Sequence, residues 1–160
     1  MKNKVLSWIT AGLSLLTIFP LFLGIYVPYI TVGDKTTTGD ALTLFDSYKG
    51  SESTFAHTIV MILVFVALAL AVAYIALTLV DTFKGKGKGF DNIRRILSII
   101  QIVVGVLILI LGLVFIIANT STNDVIKTTT GLNCGIGLVF AILVPVICGI
   151  LGLLATKKRK

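Results

Sequence analysis

The stretch VPYITVGDKTTTGDALTLF, residues 27–45, decides how this chain is read. It follows a long apolar run of helical character, and at Pro28 that pattern stops. Tyr29, Ile30, Thr31 and Val32 are β-prone, and residues 41–45 alternate, with Leu42 and Leu44 on one face. Between the two runs, GDKTTTGD supplies turn residues at both ends. The stretch therefore predicts a β-hairpin whose cap residues are Tyr29, Val32, Leu42 and Leu44. A two-stranded hairpin alone is marginal in water. This one needs support from helix ends or from the short loop NTSTNDVIKTTTG (119–131), where Val125, Ile126 and Lys127 are candidates for an added edge strand.

Working outward, the medium is lipid. The chain has 160 residues, of which 56% are hydrophobic, and a mean hydropathy of +1.04. A soluble domain of that size cannot hide so much apolar surface. Four runs, 5–27, 55–80, 96–118 and 132–155, are long enough to cross a hydrocarbon core of roughly 30 Å, and none carries a charge in its interior. The predicted fold is an all-α integral membrane protein forming a single domain, 1–160: a four-transmembrane-helix bundle with a small extracellular β-hairpin cap between helices 1 and 2. Its connections are an outer loop 28–54, an inner loop 81–95, an outer loop 119–131 and a tail 156–160. MKNK before the first run fits a basic signal-peptide start, but the run is too long for a signal core and no A-x-A-like site follows, so a retained first helix is expected.

Charge sets the orientation. Lys2, Lys4, Lys84, Lys86, Lys88, Arg94, Arg95, Lys157, Lys158, Arg159 and Lys160 fall on one side of four alternating spans, and Lys35, Lys49 and Lys127 on the other. Basic residues favour the cytoplasmic side, which places both termini inside the plasma membrane. The loop DTFKGKGKGFDNIRR is a flexible basic connector suited to anionic headgroups; it lacks the strand-to-helix setting of a phosphate-binding loop. Asp91 or Asn92 is the expected cap of the third helix.

Each span carries small or weakly polar residues at helical spacing, the pattern by which helices associate in lipid. They are Ser7, Ala11, Ser14, Thr17 and Gly24 in the first, Ala69, Ala73 and Ala76 in the second, and Ser98, Gln101, Gly105 and Gly112 in the third. The fourth has Cys134, Ala141, Pro145, Cys148, Gly149 and Gly152, with Gly131 and Gly135 as a GxxxG pair at its outer end. Within one helix Cys134 and Cys148 lie roughly 21 Å apart, too far to bridge. Pro20 and Pro145 are expected to bend their helices.

Chemistry is sparse. His57, the one histidine, is expected at an interface, satisfied by water or a loop, and Gln101 is expected to hydrogen-bond between helices. Ion-coupled transport usually needs ionisable residues at depth, and the spans have none. No nucleophile pair, metal cluster or paired intramembrane carboxylates are present in the pattern, so neither an enzyme nor a cofactor is expected. Asn119-Thr120-Ser121 is a glycosylation sequon close against the third helix, and the terminal KKRK reads as a basic stop after the last span.

The layout loosely resembles the claudin-like tetraspan plan, with four helices, internal termini and a strand-bearing first outer loop. The Trp…Gly-Leu-Trp…Cys…Cys signature of that family is absent. It is more similar to small bacterial four-span proteins in which a Gly-x-x-x-Pro-aromatic step ends the first helix and a Gly-rich last helix ends in a basic tail. Here those are Gly24, Pro28, Tyr29, Val32 and Gly33, then GLNCGIGLVF and KKRK. That resemblance implies a membrane fold and no particular activity. The expectation is a non-catalytic module presenting its cap to a protein or envelope partner. The alternative is a small transporter, channel or accessory subunit in which Gln101, Pro20 and Pro145 line a path. Expected partners are the bilayer, anionic headgroups, and a second copy or another membrane protein, with no nucleic acid.

Overall fold

The first span does not stay α-helical. In the computed structural model, which describes residues 2–46, 54–84 and 88–156, helix α1 covers Lys2–Ser14 and continues as a 3-10 helix over Leu15–Leu21. Pro20 lies inside that segment; it lacks an N–H and its ring clashes with the carbonyl four residues back. Three successive hydroxyls also bond back onto the helix: Thr10 to the Leu6 carbonyl (2.9 Å), Ser14 to that of Thr10 (2.8 Å) and Thr17 to that of Ser14 (2.7 Å). Such back-bonding loosens and bends a helix. Because a 3-10 turn rises faster, the twenty residues still reach about 33 Å, enough to cross a bilayer.

The chain then enters β1, Tyr26–Val32. Gly33 adopts φ 59°, open to glycine at no steric penalty, and a Gly-Asp turn leads into β2, Lys35–Thr38, with Val32 opposite Lys35. The expected second strand at 41–45 is thus displaced. The triple Thr forms it instead, since β-branched threonines suit a pleated edge. Leu42 keeps only an isolated bridge to Tyr26. The second outer loop supplies β3, Ser121–Asn123, and β4, Thr128–Cys134. Val125, Ile126 and Lys127 therefore form the turn between strands rather than an edge, with Lys127 at φ 47°. The sheet is antiparallel in the order β2-β1-β4-β3, and β1 pairs with β4 from Tyr26 opposite Cys134 to Val32 opposite Thr128.

Because β4 runs to Cys134, the last helix, α4, begins only at Ile136 and ends at Thr156. Gly131 and Gly135 are consequently not a helical GxxxG pair. Gly131 is a strand residue whose would-be Cβ would sit 2.8 Å from Tyr29 Oη, and Gly135 abuts the backbone of Gly24 and Ile25 at the strand-to-helix junction. The two cysteines lie in different elements, Cys134 exposed and Cys148 buried.

Helix α2 spans Thr54–Lys84 and α3 spans Lys88–Ala118. Four segments, Lys4–Leu21, Phe55–Phe83, Phe90–Ala118 and Ile136–Thr156, are long and apolar enough to cross a membrane. This is a multi-pass membrane protein. In the bundle α1 packs against α2 and α4, and α3 packs against the same two. An apolar core fills the half nearest the sheet, with Val60, Val64 and Ala67 of α2, Val104, Ile108 and Phe115 of α3, and Leu138 and Ala141 of α4. Ile25, Tyr26, Leu44 and Leu132 extend that core into the cap.

The expected inward stripe on α2 is wrong in its rotation. Ala69 and Ala76 are exposed, and the buried face carries Ala56, Val60, Val64, Ala67, Ala71, Tyr74 and Thr78. Turning Tyr74 and Thr78 inward keeps their hydroxyls out of hydrocarbon, which outweighs packing three alanines.

The α3–α4 contact follows the expected small residues. A Cβ on Gly105 would fall 2.6 Å from Val146 Cγ2, one on Gly149 would fall 2.5 Å from Ile102 Cγ1, and one on Gly112 would fall 3.2 Å from Leu138. On Gly152 it would collide with Ser98 Oγ. Gly149→Ala is therefore expected to lower the melting temperature in detergent by the equivalent of about 1–3 kcal/mol, and Gly149→Leu further. Gly12→Ala, where nothing lies within 4 Å, is expected to leave stability unchanged or raise it by roughly 0.5–1 kcal/mol. Equal melting shifts at the two positions would contradict the close α3–α4 seam.

Candidate functional site: the sheet end and the basic end

At the sheet end the four expected cap residues separate into a foot and a tip. Leu44 is buried and Leu42 packs on the same core, while Tyr29 is half-buried and Val32 is exposed. Asp46 folds the loop that delivers Leu44, accepting from the Thr43 backbone N–H (2.6 Å) and hydroxyl (3.0 Å). The foot is tied to the helices through Gly135 N–H to the Ile25 carbonyl (2.7 Å) and Gly137 N–H to the Gly24 carbonyl (2.8 Å). Beyond it the sheet stands clear. Strands β2 and β3 are exposed along their whole lengths, and Ile30, Val32, Val125 and Ile126 project into the surroundings. Gly33 N–H donates to the Lys127 carbonyl (3.2 Å), so both turns share one tip.

One rank of threonines crosses all four strands: Thr36, Thr31, Thr129 and Thr122 are successive register partners. The Thr31 and Thr36 hydroxyls lie 2.9 Å apart, and those of Thr122 and Thr129 3.4 Å. Hydroxyl pairs of this kind are an ordinary source of cross-strand stabilisation.

Beneath the sheet, Tyr26, His57 and Phe115 form an aromatic cluster, with ring centroids 4.8–5.7 Å apart. The His57 Nδ1 is buried with no hydrogen-bond partner among the described residues, so the expected loop contact at that atom is not made. Burial pushes the Tyr26 phenol pKa up, with the neighbouring Cys134 thiol adding to it. Asn119 of the sequon is turned inward, its Nδ2 donating to the Phe115 carbonyl (2.8 Å) to close the last turn of α3.

At the opposite end, Lys84 closes α2, Lys88 opens α3 and Arg95 is exposed. Lys86 and Lys157, Lys158, Arg159 and Lys160 lie outside the described residues. Arg94 departs from the expected headgroup-facing role. It is 4% exposed, pairs with Asp81 of α2 at 2.9 Å and donates to the Leu77 carbonyl at 3.3 Å. Its neighbours on the antiparallel α2 explain this: the carboxylate and carbonyl sit where the guanidinium would otherwise face lipid. The third helix begins at Lys88, so Asp91 lies in its first turn and not at the cap, 3.7 Å from Arg94.

Above this ion pair the interior is polar. Ser7, Thr10 and Ser14 of α1, Tyr74 and Thr78 of α2, Ser98 and Gln101 of α3, and Cys148 of α4 are all buried. The Ser98 hydroxyl donates to the Arg94 carbonyl (2.8 Å) and that of Thr78 to the Tyr74 carbonyl (2.9 Å). Gln101 is fully buried as expected, but the interhelical hydrogen bond is not made: neither amide atom has a partner among the described residues. Tyr74 Oη lies beside the Ser7 and Thr10 hydroxyls without hydrogen-bond geometry to either. Tyr74, Thr78, Thr10 and the Arg94–Asp81 pair escape a reading of small residues. The available signal is polar recurrence, Tyr74 with Thr78 and Arg94 with Ser98 at i,i+4 and Gln101 three further on. Pro20 and Pro145 line one crevice with Thr17, Val64, Ala67, Phe140 and Ala141; Gln101 is not in its lining. Among the described residues no three His, Cys, Asp or Glu side chains gather to hold a metal ion.

Removing one partner of the ion pair leaves a buried charge uncompensated. Arg94→Met is expected to destabilise the bundle by about 3 kcal/mol, with the double variant Arg94→Met/Asp81→Leu recovering much of the loss in thermal melts; equal melting of the wild type and Arg94→Met would refute a stabilising role for the Arg94–Asp81 pair. Raised pKa in the folded state means stability is complete below the free phenol value, near 10, and falls as pH rises through it. Melting temperature is therefore expected to drop above about pH 10, and Tyr26→Phe to flatten that drop. No known family, characterised protein or solved structure matches this chain.

Proposed function

We propose that this chain is a non-catalytic module of the plasma membrane, with both termini cytoplasmic, which holds its sheet outside the bilayer as a docking surface for a protein or envelope partner. The orientation is supported by the basic residues: among the described residues Lys2, Lys4, Lys84, Lys88, Arg94 and Arg95 lie at the end of the bundle opposite the sheet, against Lys35 and Lys127 at the sheet end. One observation carries the docking role. The sheet is anchored at its foot by buried Tyr26 and Leu132, with Leu44 packed beside them, yet exposes Val32, Val125 and Ile126 around a shared tip and Ile30 along β1. A rigid mount with exposed apolar side chains lowers the ordering cost of association, and exposed apolar groups beside polar rims mark interaction surfaces. Anionic headgroups at the basic end and a second copy of the chain belong to the same reading.

A second reading, a small transporter, channel or accessory subunit, is favoured by the buried polar interior of the basic half. The two separate by experiment. A photo-crosslinking residue at Val125 in intact cells is expected to yield a discrete protein or envelope adduct that Val32→Asp abolishes. An adduct indifferent to that change, or none, would defeat the docking role. Solute flux through reconstituted liposomes that is lost in Gln101→Leu would establish the second reading instead.

A further inference from the structure

We propose that the polar half of the bundle is a hydration site: water reaching it from the basic end, past the Arg94–Asp81 pair, completes the hydrogen bonding of Gln101, Arg94 and Tyr74. Arg94, Ser98 and Gln101 lie on one face of α3 at i, i+4 and i+7, all less than 5% exposed. The Gln101 carboxamide has two donors and an acceptor oxygen with two lone pairs, and no described residue meets any of them. Arg94 Nε and Tyr74 Oη are in the same condition. Ser98 and the Tyr74 ring meet at Gly152, which places the α2 and α3 groups side by side.

The surrounding hydroxyls are poor partners for these groups. Thr10, Ser14, Thr78 and Ser98 each spend their one proton on a carbonyl of their own helix. The lone pairs those hydroxyls retain lie out of hydrogen-bond geometry with the unspent N–H and O–H groups of Gln101, Arg94 and Tyr74. A ligand that only accepts, such as a carboxylate, leaves the lone pairs unmet, and a metal ion leaves the donors unmet. Arg94 is already neutralised by Asp81 at 2.9 Å, so the site offers no net charge to hold an ion. The compact molecule that both donates and accepts is water. Entry is from one side. Asp81 retains 23% exposure at the basic end, whereas toward the sheet the interior is closed by Val60, Val64, Val104 and Ile108.

Solid-state NMR of the intact, isotope-labelled chain in phospholipid bilayers, with proton magnetisation transferred from water, tests this directly. Cross peaks from water are expected at the Gln101 carboxamide and around Ser98, and none at the side chains of Val60 and Ile108; the exposed amides of β2 serve as the positive control. In Gln101→Leu, loss of the water signal around Ser98 and Tyr74 would support a shared network. Signals at β2 with none at Gln101, or signals of equal strength at Gln101 and Ile108, would overturn it.

Discussion

The ladder between Tyr26–Val32 and Thr128–Cys134 is the constraint on which the rest depends. It joins the loop that leaves the first helix to the loop that enters the last, and so closes the ring of helices at one end. Both flanking helices start or stop within a few residues of it, α4 only two residues beyond β4. Their outer ends therefore cannot drift independently. The same ladder fills the backbone hydrogen bonds of a segment emerging from lipid, where unpaired groups are expensive. Tyr26 and Leu132 lie on the ladder face turned toward the bundle and become the floor of the cap.

Inside the ring the interior changes character along its length. Toward the sheet the buried side chains are aliphatic and aromatic; toward the basic end every helix contributes a hydroxyl, amide, thiol or guanidinium. This division fits the drive for assembly in each half. In lipid, apolar side chains gain little by choosing one another over acyl chains, so close packing of small residues and interhelical polar contacts carry association. The α3–α4 seam of Gly105, Gly112, Gly149 and Gly152 provides the first of these. The Arg94–Asp81 pair provides the second, a bond between α2 and α3 in which neither charge is left without its counterpart.

The first helix shows how a local sequence compromise serves the whole. Thr10, Ser14 and Thr17 bond back onto their own backbone, and Pro20 prevents a regular continuation. The resulting 3-10 segment stretches the span and brings the chain to Gly24 and Ile25, whose carbonyls accept from Gly137 and Gly135. A regular α-helix of equal residue count would end some 3–4 Å short of that junction.

Much was legible without coordinates. Hydropathy alone points to lipid as the medium and picks out four runs long and apolar enough to cross it. Gly149, Gly152 and Cys148 on α4, and Ser98, Gln101 and Gly105 on α3, mark part of their inward faces, because small or polar residues recur there at helical spacing. A change from helical to alternating pattern after the first span was visible too, but not where it falls: the helical segment stops at Leu21 and Pro28 lies within β1. What the tertiary structure decided was which threonines become strands, how α2 is rotated, where α4 begins, and that Arg94 points inward. Composition and periodicity are properties of neighbours along the chain. Tyr26 finds Cys134, and Arg94 finds Asp81 and a polar interior, only after distant segments have met.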